Sequence, residues 1–399
     1  MNKIIHRVNT VKRERGTEDF VKLNHVFANR YYIEKELGKG GFGQVYQAKD
    51  LRTSNIIALK VEPDDRHNRM IMEVKVLAQV IGCKHFNIMY DHGLKNAALT
   101  YISMPVLGEN LFELRRLEQG RKFKPEAMLE FFSQLVDALE TLHKKGFLHR
   151  DLKPSNFVMG KRPGDRDTVY LIDFGMAREY LHPNGQRRAV RYPCQFRGTT
   201  RYSTARAHKG LEQGPGDDMY SLLYGMVELC EGDLPWRGDE PEKGLINIKG
   251  MPRSGLTRFI KHTPKELLII AQYLDGLVYE DDVDYNYIRQ EIHEAFDSLH
   301  PPVFDFFGRS DNFINEYNTN RSPVTESTTK SSAFYDPYEV KQMTKTSQII
   351  QMRTKFDELC FNEKRPPNRF INGNVYHPSG QKGAIWQAPF EFEPQQERY

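Results

Sequence analysis

Residues 149–156 read His149-Arg150-Asp151-Leu152-Lys153-Pro154-Ser155-Asn156, and Asp173-Phe174-Gly175 follows them. Far upstream lie a glycine run, Gly38-Lys39-Gly40-Gly41-Phe42-Gly43, and then Ala58-Leu59-Lys60. The order of these four strings constrains the fold more than any bulk property. The glycines fall between two strand-like stretches, Tyr31–Leu37 and Gln44–Ala48, which makes them the turn of a hairpin. In a dinucleotide-binding unit the glycines must open a helix instead, so the order argues against a nicotinamide cofactor. Glycines at 38, 40 and 43 would let backbone N–H groups approach phosphate oxygens without side chains in the way. Taken alone, such a run is as readily a hairpin that binds nothing.

Composition narrows the class by exclusion. A chain of 399 residues can bury one large core or two moderate ones. A formal charge of +4 is small for that length and does not suggest a nucleic-acid binder. The four cysteines, Cys83, Cys194, Cys230 and Cys360, lack the CxxC spacing of a structural zinc site or a disulfide framework, which fits a reducing compartment. No apolar run approaches the ~20 residues of a membrane span, and the N-terminus is too polar for a secretory signal. The expectation is a cytoplasmic monomer, with the nucleus open to it, that neither spans a membrane nor binds nucleic acid.

Residues 1–28 read as a basic N-terminal extension, solvated and mobile. After the hairpin, Ile56–Val61 reads as a third strand and Arg69–Val80 has helical spacing. Met128, Phe132, Leu135, Val136, Leu139 and Leu142 fall on one face of a helix over 125–145, with Gly146 as its stop signal. Phe157–Met159 and Thr168–Ile172 flank a Pro163-Gly164-Asp165 turn as a short hairpin would. Asp218–Leu229 is again helical in period. Residues 310–335, rich in Asn, Ser and Thr, read as linker, and a weak helical pattern covers 340–360. The tail from 299 to 399 carries equal numbers of basic and acidic side chains and ends in an aromatic stretch around Trp386.

Together the four strings match the protein-kinase signature set, so the chain resembles a protein kinase. A phosphoryl group in transfer carries dispersed negative charge, and catalysis is mainly positioning and electrostatics. In that reading Lys60 contacts the α- and β-phosphates of ATP and is held by Glu73 on the following helix. Glu62, the other nearby carboxylate, lies too close along the same strand to come from a separate helix. Asp151 orients the acceptor hydroxyl and takes its proton, and Lys153 meets the γ-phosphate. Asn156 and Asp173 supply hard oxygen ligands for Mg2+. His149 and Phe174 read as packing residues. Lys153, two residues after Asp151, and Thr199, able to bridge both, follow the serine/threonine pattern and disfavour a tyrosine or lipid kinase. The competing reading is a scaffold that kept the fold without turnover; the presence of Lys60, Asp151 and Asp173 speaks against it.

The resemblance narrows further downstream. Where many kinases carry Ala-Pro-Glu, this chain has Phe196-Arg197-Gly198-Thr199-Thr200-Arg201 running to His208, then Asp217-Asp218 and Leu234-Pro235-Trp236. That layout is similar to the casein kinase I superfamily. The run Phe147–Gly160 and Phe196–Thr199 resemble its tau-tubulin kinase branch. The superfamily usually has asparagine in the stretch replacing Ala-Pro-Glu, where this chain has Ala205-Arg206. The resemblance covers about residues 28–298 and implies an α+β, two-lobed protein-kinase fold: a small β-rich N-lobe with one main helix (about 29–104) and a larger helical C-lobe (about 108–298). It implies ATP in the cleft, lined by Gly38, Gly40, Gly43, Val45 and Ala58. A hinge at Met104-Pro105-Val106-Leu107 would meet adenine through the Pro105 carbonyl and Leu107. It also implies that Asp218 hydrogen-bonds the backbone of the catalytic loop.

Seven arginines lie between Asp173 and His208, at 178, 187, 188, 191, 197, 201 and 206, against a single acid, Glu179. Guanidinium groups suit bidentate capture of carboxylate or phosphate. The expectation is a groove for protein substrates with acidic or already phosphorylated sites, with Arg201 and Arg197 as the anion site and Arg201 the match to the family's arginine. An exposed basic loop facing solvent is the plainer alternative. From Met176 to Arg197 there is no Ser or Thr, only Tyr180 and Tyr192. A switch by loop Ser/Thr phosphorylation therefore has no acceptor there, and the enzyme is expected to be competent without one.

Overall fold

The computed structural model describes residues 19–41, 43–63, 69–95, 99–236, 256 and 260–300. The N-terminal part is a six-stranded antiparallel sheet of β1 (Val26–Phe27), β2 (Tyr31–Lys39), β3 (Gln44–Asp50), β4 (Ile56–Pro63), β5 (Asp91–Lys95) and β6 (Leu99–Met104), in the order β1-β2-β3-β4-β6-β5. Alternation decides which side chains go inward. Tyr31 and Ile33 of β2 and Tyr46 and Ala48 of β3 are fully buried, with Leu59 and Val61 of β4 beside them. Tyr101 closes this core edge-to-face on Phe27 and Tyr31, ring centroids 5.6 Å away in both cases. The helix α1 (Arg69–Gln79) turns Met70, Glu73, Val74, Val76 and Leu77 inward.

The rest is helical: α2 (Leu111–Leu117), α3 (Pro125–Lys144), α4 (Ala205–His208), α5 (Pro215–Glu231), α6 (Glu266–Asp275) and α7 (Tyr285–Leu299). The central helix, α3, packs against α5 and α7. Proline at its first position and Gly146 just past its end, at φ 84°, fix its limits, because proline loses no bond there and glycine alone enters the left-handed region freely. Two short strand pairs extend from its end. The first joins β7 (Phe147–Leu148) to β10 (Arg178–Glu179), and the second joins β8 (Phe157–Met159) to β9 (Val169–Leu171). The β8–β9 turn closes through Gly160 N–H to the Thr168 carbonyl, 2.9 Å, and Arg162 N–H to Asp165 Oδ1, 2.7 Å. The loop beginning at His149 thus starts from a strand tied to the segment after Asp173.

The antiparallel sheet with one helix, followed by a helical region, is the architecture expected. Among the described residues no helix is long and apolar enough to cross a membrane. The extension read as 1–28 differs at its end, because residues 19–28 belong to the packed structure. Phe20 N–H donates to Gln44 Oε1 at 2.7 Å, Val21 is buried, and β1 already pairs with β2. Residues 1–18 and the tail from 301, including the linker at 310–335 and the helical pattern at 340–360, lie outside the described residues.

Candidate active site

Lys60 sits mid-strand in β4, in register with Val45 on one side and Ile102 on the other. Its Nζ donates to Glu73 Oε2 at 2.5 Å and to Asp173 Oδ1 at 3.0 Å. Glu62 also comes within reach, at 3.5 Å, because residues two apart on a strand share a face. Glu62 is therefore part of the cluster, though the bonded partner is Glu73. Burial opposes the charge on Lys60, and Asp173, Glu73 and Glu62 together overcome it, so its pKa is raised. Burial lifts Glu73 to about 7 against the pull of Lys60. Burial pushes Asp173 the same way, but Lys60 and then Lys153 reverse it, and its pKa falls to about 2. Asp173 adopts φ 68°, which aims its carboxylate back at Lys60.

The catalytic-loop strings come together in one network. Asp151 Oδ1 accepts from Thr199 Oγ1 at 2.6 Å and Oδ2 accepts from Lys153 Nζ at 2.6 Å. Lys153 also donates to Thr199 Oγ1, 3.2 Å. Asn156 Nδ2 donates to the Asp151 carbonyl at 2.9 Å, which fixes the amide and leaves its Oδ1 as an acceptor. His149 is buried and works as a brace. Its Nε2 bonds the Ile172 carbonyl at 3.0 Å and its Nδ1 accepts from Asp151 N–H at 3.2 Å, a pair of roles that selects the Nε2–H tautomer. Asp218 of α5 accepts from His149 N–H (2.6 Å), Arg150 N–H (2.8 Å) and His143 Nε2 (3.0 Å). Arg150 is held at φ 65° by that grip. Gly198, at φ 109°, lies so close that a Cβ there would meet the Arg150 carbonyl oxygen at 2.5 Å, and this delivers Thr199 to Asp151.

The protein kinase domain family matches residues 31–274 of this chain. The chain belongs to the protein kinase family. It is 34% identical to a Dictyostelium discoideum protein named as a serine/threonine-protein kinase, over 68% of this chain and 54% of that one. It is 37% identical to a Caenorhabditis elegans protein named as a casein kinase I, over 56% and 67%. It is 30% identical to an Encephalitozoon cuniculi protein named as a casein kinase I homolog, over 67% and 85%. The match thus spans about half the length of the Dictyostelium relative. This kinase is of the serine/threonine type and casein kinase I-like.

In the kinase, Val45 pairs with Gly38 across the glycine hairpin, and Gly40 N–H bonds the Gly43 carbonyl at 2.8 Å. Ala58 pairs with Met104 at the start of the hinge. The segment expected to be the hinge holds a contact the sequence did not announce. Buried Asn87 donates from Nδ2 to the Pro105 carbonyl at 3.1 Å, leaving that oxygen one lone pair for a ligand. Among the described residues nothing bonds the Leu107 backbone.

The activation segment of the kinase is less available than its sequence implies. Arg178 and Arg191 bond Glu212 at 2.9 and 2.8 Å, and Arg188 bonds Glu179 at 3.0 Å. Arg187 reaches the Tyr279 and Asp281 carbonyls and Asp282. Arg206 reaches the Glu212 carbonyl. Arg201 pairs with buried Glu228 of α5 at 2.8 Å. Among the described residues Arg197 alone of the seven has no such partner. Nearby Arg150 donates to the Met176 and Ala177 carbonyls and meets no carboxylate side chain. Burial first and then the charge of Arg197 lower the Arg150 pKa to about 10. Both line a concavity with Arg191, Glu212, Gln195 and Phe196.

Proposed function

We propose that this chain transfers the γ-phosphate of ATP to Ser and Thr hydroxyls of proteins at acidic or already phosphorylated sites, in the manner of the tau-tubulin kinase branch. The observation that carries the reading is Asp151 held at 2.6 Å by both Lys153 and Thr199, with Lys60 bonded between Glu73 and Asp173. Asp151 orients the acceptor hydroxyl and receives its proton as the phosphoryl group leaves ADP. Lys153 and Lys60 face the phosphates, and Thr199 keeps Asp151 and Lys153 in register. Gly38, Gly40 and Gly43 line the phosphates with backbone N–H groups, and Val45, Ala58, Met104, Pro105 and Leu107 enclose the adenine. The kinase domain in this reading covers 29–298, with lobes of about 29–104 and 108–298 and a folded lead-in from 19.

The donor set fits magnesium. Asn156 Oδ1 and the Asp173 carboxylate are hard oxygens, and among the described residues no cluster of three His, Cys, Asp or Glu side chains could hold an ion unaided. An ion held by these two would complete its shell from phosphate and water, as suits Mg2+. It would neutralise charge developing on the phosphates.

For the acceptor site, support comes from Arg197 and Arg150, whose guanidinium groups bond no carboxylate among the described residues, although Glu212 lines the same concavity. Arg201 joins the anion site as a frame whose own charge Glu228 already answers. The test is Mg2+-dependent transfer of labelled γ-phosphate to an acidic and phospho-primed peptide library, beside Asp151→Asn. Phosphoserine and phosphothreonine that vanish in the variant support the reading. ATP binding without transfer would replace it with a scaffold.

A further inference from the structure

Building on the kinase reading, we propose that Glu212 is a built-in counter-ion of the activation segment, doing there what a phosphorylated loop residue would do, and thus a positioning residue for phosphoryl transfer.

The segment has a charge problem. Arg178 is nearly buried, Arg191 reaches in from the surface, and both converge on one carboxylate near half-buried Arg150, where like charges repel. A phosphate on a loop hydroxyl can gather such arginines and order the loop around it. Here no Ser or Thr is offered between Met176 and Arg197. Tyr180 is buried, with its hydroxyl donating to the His143 carbonyl at 2.9 Å, so only Tyr192 stands open to solvent.

Glu212 supplies the missing anion from just past the segment. It is 3% exposed, and its carboxylate is bonded by two activation-segment arginines, Arg178 and Arg191. Oε1 accepts from Arg178 at 2.9 Å and from Arg191 NH2 at 3.2 Å. Oε2 accepts from Arg191 Nε at 2.8 Å and from Arg191 backbone N–H at 3.2 Å. Its carbonyl takes Arg206 at 3.3 Å. The carboxylate thereby ties the beginning of the segment to its middle with charge-assisted, partly bidentate bonds, and the backbone carbonyl of the same residue holds Arg206 at its end. The first tie matters most for catalysis. Arg178 pairs with Leu148, which leads directly into His149, and its neighbour Glu179 bonds Lys75 of α1, the helix that carries Glu73. A loosened Arg178 would slacken the strand that begins the catalytic loop and the contact that steadies the Lys60 partner.

The test compares wild type with Glu212→Ala in the full chain, measuring kcat and the KM values for ATP and peptide with and without inorganic phosphate. Removing the counter-ion should cost at least about tenfold in kcat, with the ATP KM within about twofold. Added phosphate should restore the variant several-fold by seating between Arg178 and Arg191, while leaving wild type unchanged. Phosphatase-treated wild type and Tyr192→Phe should both keep the full rate. A variant with wild-type kcat overturns the proposal, and so does a loss that phosphate leaves untouched. Wild type that loses its rate on phosphatase treatment also overturns it, and that arm needs no folded variant. Should Glu212→Ala not fold, Arg178→Gln/Arg191→Gln/Glu212→Gln leaves no buried charge; it should fold and turn over slowly, and full activity would refute the role. A wild-type chain that transfers no phosphate at all removes the transferase reading itself.

Discussion

Thr199 lies far along the chain from Asp151, yet its hydroxyl donates to Asp151 and accepts from Lys153 at once. A hydroxyl can do both, and a methyl group can do neither. Thr199→Ala is therefore expected to lower kcat roughly tenfold or more with little change in the ATP KM, while Thr199→Ser keeps most of the rate. Steady-state kinetics on the two variants checks this. Glu73 gives a pH signature. Burial lifts it to about 7, so below that pH it takes up a proton and its hold on Lys60 weakens. The expected profile of kcat/KM for ATP falls as pH drops through about 7, and Glu73→Gln is low throughout without that limb. At this scale the sequence was most legible in its short strings: Lys60, Asp151, Lys153, Asn156 and Asp173 were named from them, and the fold bonds Lys60 to Asp173 and joins Asp151 to Lys153 and Asn156. Asn87 and Glu212 could not be named in this way. Their roles come from partners that only folding brings near, and a lone Asn or Glu carries no pattern.

Among the elements, α5 sets the geometry of the catalytic loop. Asp218 in its first turn collects two consecutive backbone N–H groups and His143, all away from solvent. Burial pushes its pKa up, and the hydrogen bonds from the His143 side chain and the His149 backbone N–H help to reverse that, so the net shift is downward. A carboxyl lowered in the folded state contributes stability above its ordinary range, and that contribution is lost as pH falls through the folded value. Asp218→Asn should thus be less stable than wild type by about 3 kcal/mol at neutral pH, with the gap closing in acid. Urea melts at pH 7 and below pH 4 would decide it, and an equal gap at both would refute it. Elements with clean periodicity, such as α3, were readable in advance. The helix α7 was not read in advance, although Ile288, Ile292 and Ala295 recur at helical spacing; Glu291 stands on the same buried face and interrupts the apolar run.

Over the whole molecule, the misleading quantity was charge. Counting from Asp173 to His208 left seven arginines facing one acid, and that count stopped short of Glu212 and of Glu228 on α5. Burial turned most of the apparent surface charge into internal ties. In the proposed reading, what remains for a substrate is concentrated at Arg197, with Arg150 behind it. Arg197→Gln is expected to raise the KM for an acidic or primed peptide about tenfold, the worth of one charge-assisted bond, with the ATP KM unchanged. Equal effects on acidic and neutral peptides would count against an anion site.

The inward pairing of the activation segment also bears on ionic strength. Mobile ions screen exposed charges over roughly 10 Å at 0.1 M salt and reach buried pairs far less. An enzyme whose arginines lay open would lose substrate steeply as salt rose and would be caught by any polyanion it met. Among the described residues, six of the seven activation-segment arginines are occupied by carboxylates or carbonyls of the same chain. Its activation segment should hold its shape across the range of salt found in cells, and discrimination between proteins is left to a very small number of unsatisfied charges.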